Sequence, residues 1–139
     1  MNTKNFKGAF MMLENLTILY VEDDQDTQRL IKRILSSSAK EVYVASDGEE
    51  GLALYKERRP DIVLTDICMP KMDGLEMSEE IKKIVSDQPI GIFTAFDDPD
   101  YLKKASELNI GTYILKPFDR KQFFSSLEYL GMVAESQNS

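Results

Sequence analysis

The chain has 139 residues and a net charge of −7, and 42% of its residues are hydrophobic. This length predicts one domain with a substantial core. The acidic balance repels nucleic-acid backbones and anionic membranes, so we expect neither as a partner of this domain. The sequence has no histidine, which excludes catalytic triads and histidine metal sites, and its one cysteine, Cys68, excludes an intrachain disulfide. No apolar run approaches the ~18 residues of a membrane span, and we expect a cytoplasmic protein.

Short apolar runs alternate with helical patterns along the chain. The runs are rich in Ile, Val and Tyr, which is typical of strands buried on both faces. The predicted elements, in chain order, are strand 16–21, helix 26–37, strand 41–45, helix 48–58, strand 62–65, helix 74–85, strand 89–94, helix 98–108, strand 113–115 and helix 119–130. Helices between consecutive strands force parallel pairing. The predicted fold class is therefore α/β, an open, doubly wound five-stranded parallel sheet.

The alternating strands and helices form one domain, to which we assign residues 15–131. The chain extends beyond this domain at both ends. Residues 1–14 form an N-terminal extension, in which Phe6, Phe10 and Leu13 either build an extra helix packed on the domain or belong to a frayed segment. Residues 132–139 are expected to be a C-terminal tail or the start of a linker.

Polar side chains stand at the ends of four predicted strands. Glu22 and Asp23 follow the first strand, Asp66 the third and Lys116 the fifth, while Thr94 ends the fourth. The carboxyl ends of parallel strands are where open α/β sheets bind their ligands, so these side chains are expected to share one crevice. Four other acidic residues stand where helices begin and are interpreted as helix caps or solvated turns: Asp24, Asp26, Asp47 and Asp98.

The acidic group of Glu22, Asp23 and Asp66 calls for a cation. Two carboxylates ~4 Å apart repel by about 4 kcal/mol at an effective dielectric of about 20. Oxygen ligands with room for water favour Mg²⁺, with Mn²⁺ as an alternative. A carboxylate, a divalent ion, an ammonium and a hydroxyl are the groups that phosphoryl transfer requires, with an aspartate as the acceptor. The residue types alone leave open which aspartate it is.

Four sequence fragments, in this order, resemble the receiver domain of two-component response regulators. They are ILYVEDD, DIVLTDICMPKMDG, IFTA and YILKPF. The resemblance spans about residues 16–130 and implies a flavodoxin-like (βα)₅ fold.

Carried over residue by residue, the resemblance implies a phosphorylation site with its metal ligands. Asp66 would be the phosphoacceptor, Asp23 the direct Mg²⁺ ligand and Glu22 a partner acting through water. The backbone carbonyl of Cys68 would be a further ligand. Lys116 would bind a phosphoryl oxygen.

The resemblance also implies a switch at Thr94 and Tyr113. Thr94 would hydrogen-bond the phosphoryl group and Tyr113 would follow it inward, reshaping the face of the fourth helix, fifth strand and fifth helix where partners bind. The alternatives are a β-branched strand residue at Thr94 and a core aromatic at Tyr113.

The partners follow from the same resemblance. The phosphoryl donor would be a sensor histidine kinase or a histidine phosphotransfer protein, or a small molecule such as acetyl phosphate. The output would pass to a downstream effector or to an output domain removed from this chain. The domain would be a signalling phosphoacceptor that catalyses its own phosphorylation. We expect slow dephosphorylation, because Cys68 and Phe96 orient an attacking water poorly.

Two other functions compete with this interpretation. Asp24-Gln25-Asp26-Thr27 fits the DxDx(T/V) motif of haloacid-dehalogenase-type phosphatases, in which Asp24 would be the nucleophile. The other is a receiver that is never phosphorylated and serves only protein contacts.

Overall fold

The computed structural model describes residues 13–95, 98–117 and 119–138. Its elements, in chain order, are β1 (Thr17–Val21), α1 (Gln25–Ser36), β2 (Glu41–Ala45), α2 (Gly48–Arg58), β3 (Ile62–Asp66), α3 (Gly74–Ile84), β4 (Ile90–Thr94), α4 (Pro99–Glu107), β5 (Thr112–Leu115) and α5 (Arg120–Asn138). All strand pairs are parallel, in the order β2-β1-β3-β4-β5. The predicted doubly wound α/β fold is confirmed.

The sheet is covered on both faces because its central strands are apolar on both sides. One core layer joins the sheet to α1 and α5, through side chains such as Leu35 and Phe123. The other joins it to α2, α3 and α4, through Tyr55, Ile81 and Ala105. None of the helices in the described part of the chain has the length and hydropathy needed to cross a membrane.

The strand register brings the carboxyl ends of the central strands to one level. Val21 of β1 pairs with Thr65 of β3, one residue before Asp66. Asp66 pairs with Phe93 of β4, the residue before Thr94. Side chains that follow these strands therefore meet above one edge of the sheet.

Aspartates cap the helices α1, α2, α3 and α4. Asp24, Asp47 and Asp98 accept backbone hydrogen bonds at the starts of α1, α2 and α4, as expected. Asp73 caps α3 in a reciprocal capping box with Glu76. Asp26 is not a cap but is exposed in the first turn of α1, which is the other alternative given for it.

Asp26 lies inside the first turn of α1, because Asp24 already occupies the capping position. Its carboxylate pairs instead with Arg29, one turn along the same helix.

The last helix is longer than predicted. It continues past residue 130 to Asn138, because Ala134 is buried against the core and the end of the helix is hydrogen-bonded to the loop that precedes β4. Gln137 Nε2 donates to the Asp87 carbonyl at 2.8 Å. Residues 132–138 are thus helical rather than an irregular tail, while the domain bounds at 15 and 131 stay a prediction.

Of the N-terminal extension, the structure describes only its last two residues. Leu13 is 1% exposed and packs against α5 beside Gly131. Phe6 and Phe10 lie outside the described residues.

Candidate functional site

The strand ends bring three carboxylates together. Glu22 and Asp23 follow β1, and Asp66 ends β3. One carboxylate oxygen from each lies within 4.8 Å of the other two. Three negative charges this close repel one another strongly, so the arrangement calls for a positive charge among them.

Glu22 is the buried member of the group, at 1% exposure. Its Oε2 accepts the backbone N–H of Asp24 at 3.1 Å, and its Oε1 accepts the Tyr20 hydroxyl at 3.4 Å. Burial raises the pKa of Glu22, the hydrogen bond from Asp24 opposes this shift, and nearby Asp66 adds to it. The two hydrogen bonds therefore fix the orientation of the carboxylate. Its negative charge is energetically unfavourable in this buried position unless a cation lies nearby.

Asp66 is more accessible and held by two contacts. Its Oδ1 accepts the backbone N–H of Ile67 at 2.9 Å, and its Oδ2 lies 2.7 Å from Lys116 Nζ. Its side chain is 17% exposed. Asp23, beside it, is exposed. A ligand can therefore approach Asp66 from the side on which Asp23 lies.

Lys116 supplies a positive charge to the group. Its Nζ lies 3.5 Å from Glu22 Oε1 as well as 2.7 Å from Asp66 Oδ2. Its backbone N–H donates to the Thr94 carbonyl at 2.8 Å, and its peptide bond to Pro117 is cis. Burial lowers the pKa of Lys116, but the hydrogen bonds and charges of Asp66 and Glu22 together outweigh it, and the net shift is upward.

The donor set fits a hard divalent cation. Glu22, Asp23 and Asp66 offer only oxygen atoms, and Lys116 holds two of the carboxylates with its single charge. Oxygen ligands with an open side for water suit Mg²⁺. Cys68 lies in the loop after Asp66 with its Sγ 3.5 Å from the Tyr101 hydroxyl, and the metal role of its carbonyl stays a prediction.

The carboxylate of Asp24 caps helix α1. Its Oδ2 accepts the backbone N–H of Thr27 at 2.9 Å and the Thr27 hydroxyl at 2.6 Å. These hydrogen bonds lower the pKa of Asp24. A carboxylate engaged in capping α1 is poorly suited as the nucleophile of a phosphatase.

Comparison with known proteins identifies the family. The model of the response regulator receiver domain family matches residues 18–128. The chain belongs to this family. The resemblance carried by the four sequence fragments is confirmed, and this receiver domain belongs to the two-component systems.

Individual relatives agree with this assignment. The probable transcriptional regulator ycf27 of Porphyridium aerugineum is 37% identical over 105 residues, which are 76% of this chain and 43% of that protein. The chain thus spans less than half of that relative's length.

Solved structures share the fold. The N-terminal domain of the uncharacterized protein WS1339 from Wolinella succinogenes is 36% identical, with a TM-score of 0.81 over 88% of this chain and 98% of that one. A chain of the CheX–CheY–BeF3–Mg complex from Borrelia burgdorferi is 28% identical, with a TM-score of 0.76 over 83% of this chain and 88% of that one.

The two predicted switch residues of the receiver domain lie at different positions along the strand direction of the sheet. Thr94 ends β4 and is 7% exposed. Tyr113 pairs with Ile92, and its hydroxyl donates to the Ile110 carbonyl at 2.8 Å, toward the amino end of β5. An inward movement of Tyr113 would break this hydrogen bond, and the switch stays a prediction. Phe96 lies outside the described residues.

Sequence reasoning missed two residues that hold the site of this receiver domain. Gln28 Nε2 donates to the Glu22 carbonyl at 2.8 Å and to the Ala45 carbonyl at 3.2 Å, which ties the end of β1 to the end of β2. Tyr20 holds the Glu22 carboxylate. The alternation of strand side chains places residues 20 and 22 on one face, so that contact was predictable, whereas nothing local marks Gln28.

Proposed function

We propose that Asp66 accepts a phosphoryl group from a phosphohistidine donor in a Mg²⁺-dependent reaction. The observation that carries this proposal is the Asp66 carboxylate, 2.7 Å from Lys116 Nζ and within 4.8 Å of Glu22 and Asp23. One face of the group is open to a donor, and the other is closed by the buried Glu22.

The chemistry is an in-line displacement. A carboxylate oxygen of Asp66 attacks phosphorus and forms an O–P bond, while the N–P bond of the donor breaks and its electron pair stays on the imidazole. Lys116 moves from pairing Asp66 to pairing a phosphoryl oxygen. Glu22 and Asp23, with Asp66, would hold Mg²⁺, which supplies charge neutralisation for the transferring oxygens.

The phosphohistidine of the donor lies outside these 139 residues, which contain no histidine. A sensor histidine kinase or a histidine phosphotransfer protein would supply the group in the cytoplasm, and acetyl phosphate would serve in vitro. Phosphorylation would change the face of α4, β5 and α5 through Thr94 and Tyr113, which a downstream effector or an attached output domain would read. The solved relative whose complex contains CheY, BeF3 and Mg supports a phosphoryl site with a divalent ion.

Intact-mass spectrometry tests the proposal directly. Wild type incubated with acetyl phosphate and Mg²⁺ should gain one phosphoryl group, and chelation of the metal should prevent this. Asp66→Asn should gain none, whereas Asp24→Asn should react like wild type. Modification that persists in Asp66→Asn and disappears in Asp24→Asn would support the phosphatase chemistry instead. A wild type that neither reacts nor binds Mg²⁺ and beryllofluoride would favour a receiver used only for protein contacts.

We further propose that the domain acts on no other substrate and loses its own phosphoryl group slowly. Cys68 follows Asp66 by two residues, is exposed, and carries a thiol, which is a weak hydrogen-bonding group for a water. Cys68→Asn should therefore shorten the half-life of the phosphorylated protein severalfold, with Cys68→Ala unchanged. An unchanged half-life in Cys68→Asn would contradict this role.

A further inference from the structure

The loop between β3 and α3 is closed at its base by backbone contact. It covers residues 67–73 and includes Cys68. The backbone N–H of Gly74 donates to the Ile67 carbonyl at 2.8 Å. A Cβ on Gly74 would lie 1.9 Å from the Asp66 carbonyl oxygen, so the chain returns to within contact of the phosphoacceptor residue. The base of the loop is therefore fixed beside Asp66.

The tip of the same loop is docked on the first residue of α2. The backbone N–H of Gly48 donates to the Met72 carbonyl at 3.0 Å. A Cβ on Gly48 would lie 2.1 Å from that oxygen and 2.8 Å from its carbon. Both are backbone atoms, so no side-chain rotation can make room. The loop tip can occupy this position only if residue 48 is glycine.

The loop reaches this contact through an unfavourable backbone conformation. Lys71 has a φ of 71°, and the N–H of Met72 donates across it to the Pro70 carbonyl at 2.8 Å. A three-residue turn with positive φ at its centre is rare for a residue with a side chain, and such conformations persist only where the surroundings impose them. Two contacts hold the loop tip at the start of α2: the Met72 carbonyl accepts from the Gly48 N–H, and Lys71 Nζ lies 3.8 Å from Asp47 Oδ2.

We propose that Gly48 is a positioning residue for the metal site: by admitting the Met72 carbonyl, it holds the 67–73 loop in the conformation that presents the Cys68 carbonyl to the cation. This inference rests on the proposed function, since it needs a cation beside Asp66 and the predicted role of the Cys68 carbonyl as one of its ligands. Gly48 itself touches neither the cation nor the phosphoryl group. Its effect reaches the site only through the loop.

A matched pair of variants in α2 tests the inference. Gly48→Ala should raise the dissociation constant for Mg²⁺, measured by titration calorimetry, by about tenfold, the lower end of the effect of residues that orient metal ligands. Gly51→Ala is the control, because its Cβ would crowd Met77 Sδ at 2.6 Å and Val21 Cγ2 at 3.0 Å, which are side chains outside the loop. That variant should bind Mg²⁺ within about twofold of wild type once corrected for the folded fraction.

Amide hydrogen exchange of wild type gives a test that needs no variant. Because a cation that binds only the docked loop must stabilise the docking, Mg²⁺ at about 100 times its dissociation constant should slow exchange of the Gly48 N–H by up to about 100-fold. The Gly51 N–H, bonded at 2.9 Å to the Asp47 carbonyl within α2, should change much less. This measurement decides the matter if Gly48→Ala does not fold.

The outcomes separate this inference from the proposed function. Three results would overturn the positioning role while leaving phosphorylation of Asp66 intact. The first is equal Mg²⁺ affinity in wild type and folded Gly48→Ala, and the second is a loss of Mg²⁺ affinity in Gly51→Ala as large as in Gly48→Ala. The third is an exchange rate of the Gly48 N–H that does not change when Mg²⁺ is added. A wild type that neither binds Mg²⁺ nor accepts a phosphoryl group would overturn both.

Discussion

Lys116 pairs with two of the carboxylates that would hold a divalent cation, so the two positive charges would compete for them. Its Nζ lies 2.7 Å from Asp66 Oδ2 and 3.5 Å from Glu22 Oε1, and both carboxylates belong to the proposed metal ligand set. If the proposed metal site is correct, Lys116 lowers its affinity for Mg²⁺ and stabilises the metal-free protein.

Replacement of Lys116 should separate these two effects. We expect Lys116→Met to bind Mg²⁺ roughly fivefold more tightly, equivalent to the ~1 kcal/mol that a unit charge about 4 Å away is worth in water. Phosphorylation by acetyl phosphate should become slower, because the ammonium that would bind a phosphoryl oxygen is gone. Calorimetry gives the affinity, and Lys121→Met, which removes an exposed charge on α5, is the control. Weaker Mg²⁺ binding by Lys116→Met would contradict the competition.

Away from the site, Tyr55 makes stability depend on alkaline pH. Burial raises the pKa of Tyr55, whose hydroxyl donates to Gln88 Oε1, and both side chains are buried. The unfolded chain ionises near the ordinary value of 10.0, before the folded protein does. The contribution of Tyr55 is therefore complete below about pH 10 and is lost as the pH rises through the higher folded-state pKa.

Tyr55→Phe tests this pH dependence. The variant should lower the free energy of unfolding by about 1–3 kcal/mol near neutral pH, because Gln88 Oε1 loses its donor, and the gap to wild type should narrow above about pH 10. Urea denaturation at several pH values measures both effects. Tyr129→Phe, at a position 58% exposed, should behave as wild type. A gap that widens with pH would contradict the direction of the shift.

At the scale of elements, the length of α5 is a feature that the sequence pattern did not predict. Its apolar positions repeat through Leu130, where the predicted helix ends. In the structure Gly131 leaves room for Leu13, whose Cδ2 would lie 3.1 Å from a Cβ there. The contact partner is more than 100 residues away in the chain. Local periodicity contains no information about such a partner.

The strands and the acidic group were predictable for the opposite reason. Buried parallel strands are marked by their own apolar residues, and the rule that ligands bind at carboxyl ends brings Glu22 and Asp66 together without any knowledge of distances. What the sequence could not supply was the set of contacts that orient these groups. Gln28 and the docking of Met72 on Gly48 depend on how separate elements approach one another.

A pair of substitutions in α5 tests whether its last turns belong to the folded domain. Ala134 is 2% exposed, whereas Met132 in the same helix is 58% exposed. Ala134→Glu should lower the free energy of unfolding by about 2 kcal/mol or more, because it buries a charge without a partner, and Met132→Glu should stay within about 0.5 kcal/mol of wild type. Denaturant titration compares them. If neither substitution changed the free energy of unfolding, the last turns of α5 would not belong to the folded domain.

At the scale of the whole molecule, the fold concentrates part of a net charge of −7 at one end of the sheet. Three carboxylates there outnumber the single ammonium of Lys116. The same fold leaves Asp24, only one residue from Asp23, in a capping role. Membership of the receiver family and the different roles of Asp24 and Asp66 lead to one central claim. We propose that Asp66, and no other carboxylate, accepts the phosphoryl group.

The most direct measurement is to locate the modified residue chemically. Borohydride reduces an aspartyl phosphate to homoserine with loss of phosphate, and peptide mass spectrometry then identifies the position. After incubation with acetyl phosphate and Mg²⁺, homoserine is predicted at position 66 alone. Homoserine at position 23 or 24, or its absence from a protein that has gained a phosphoryl group, would contradict the account.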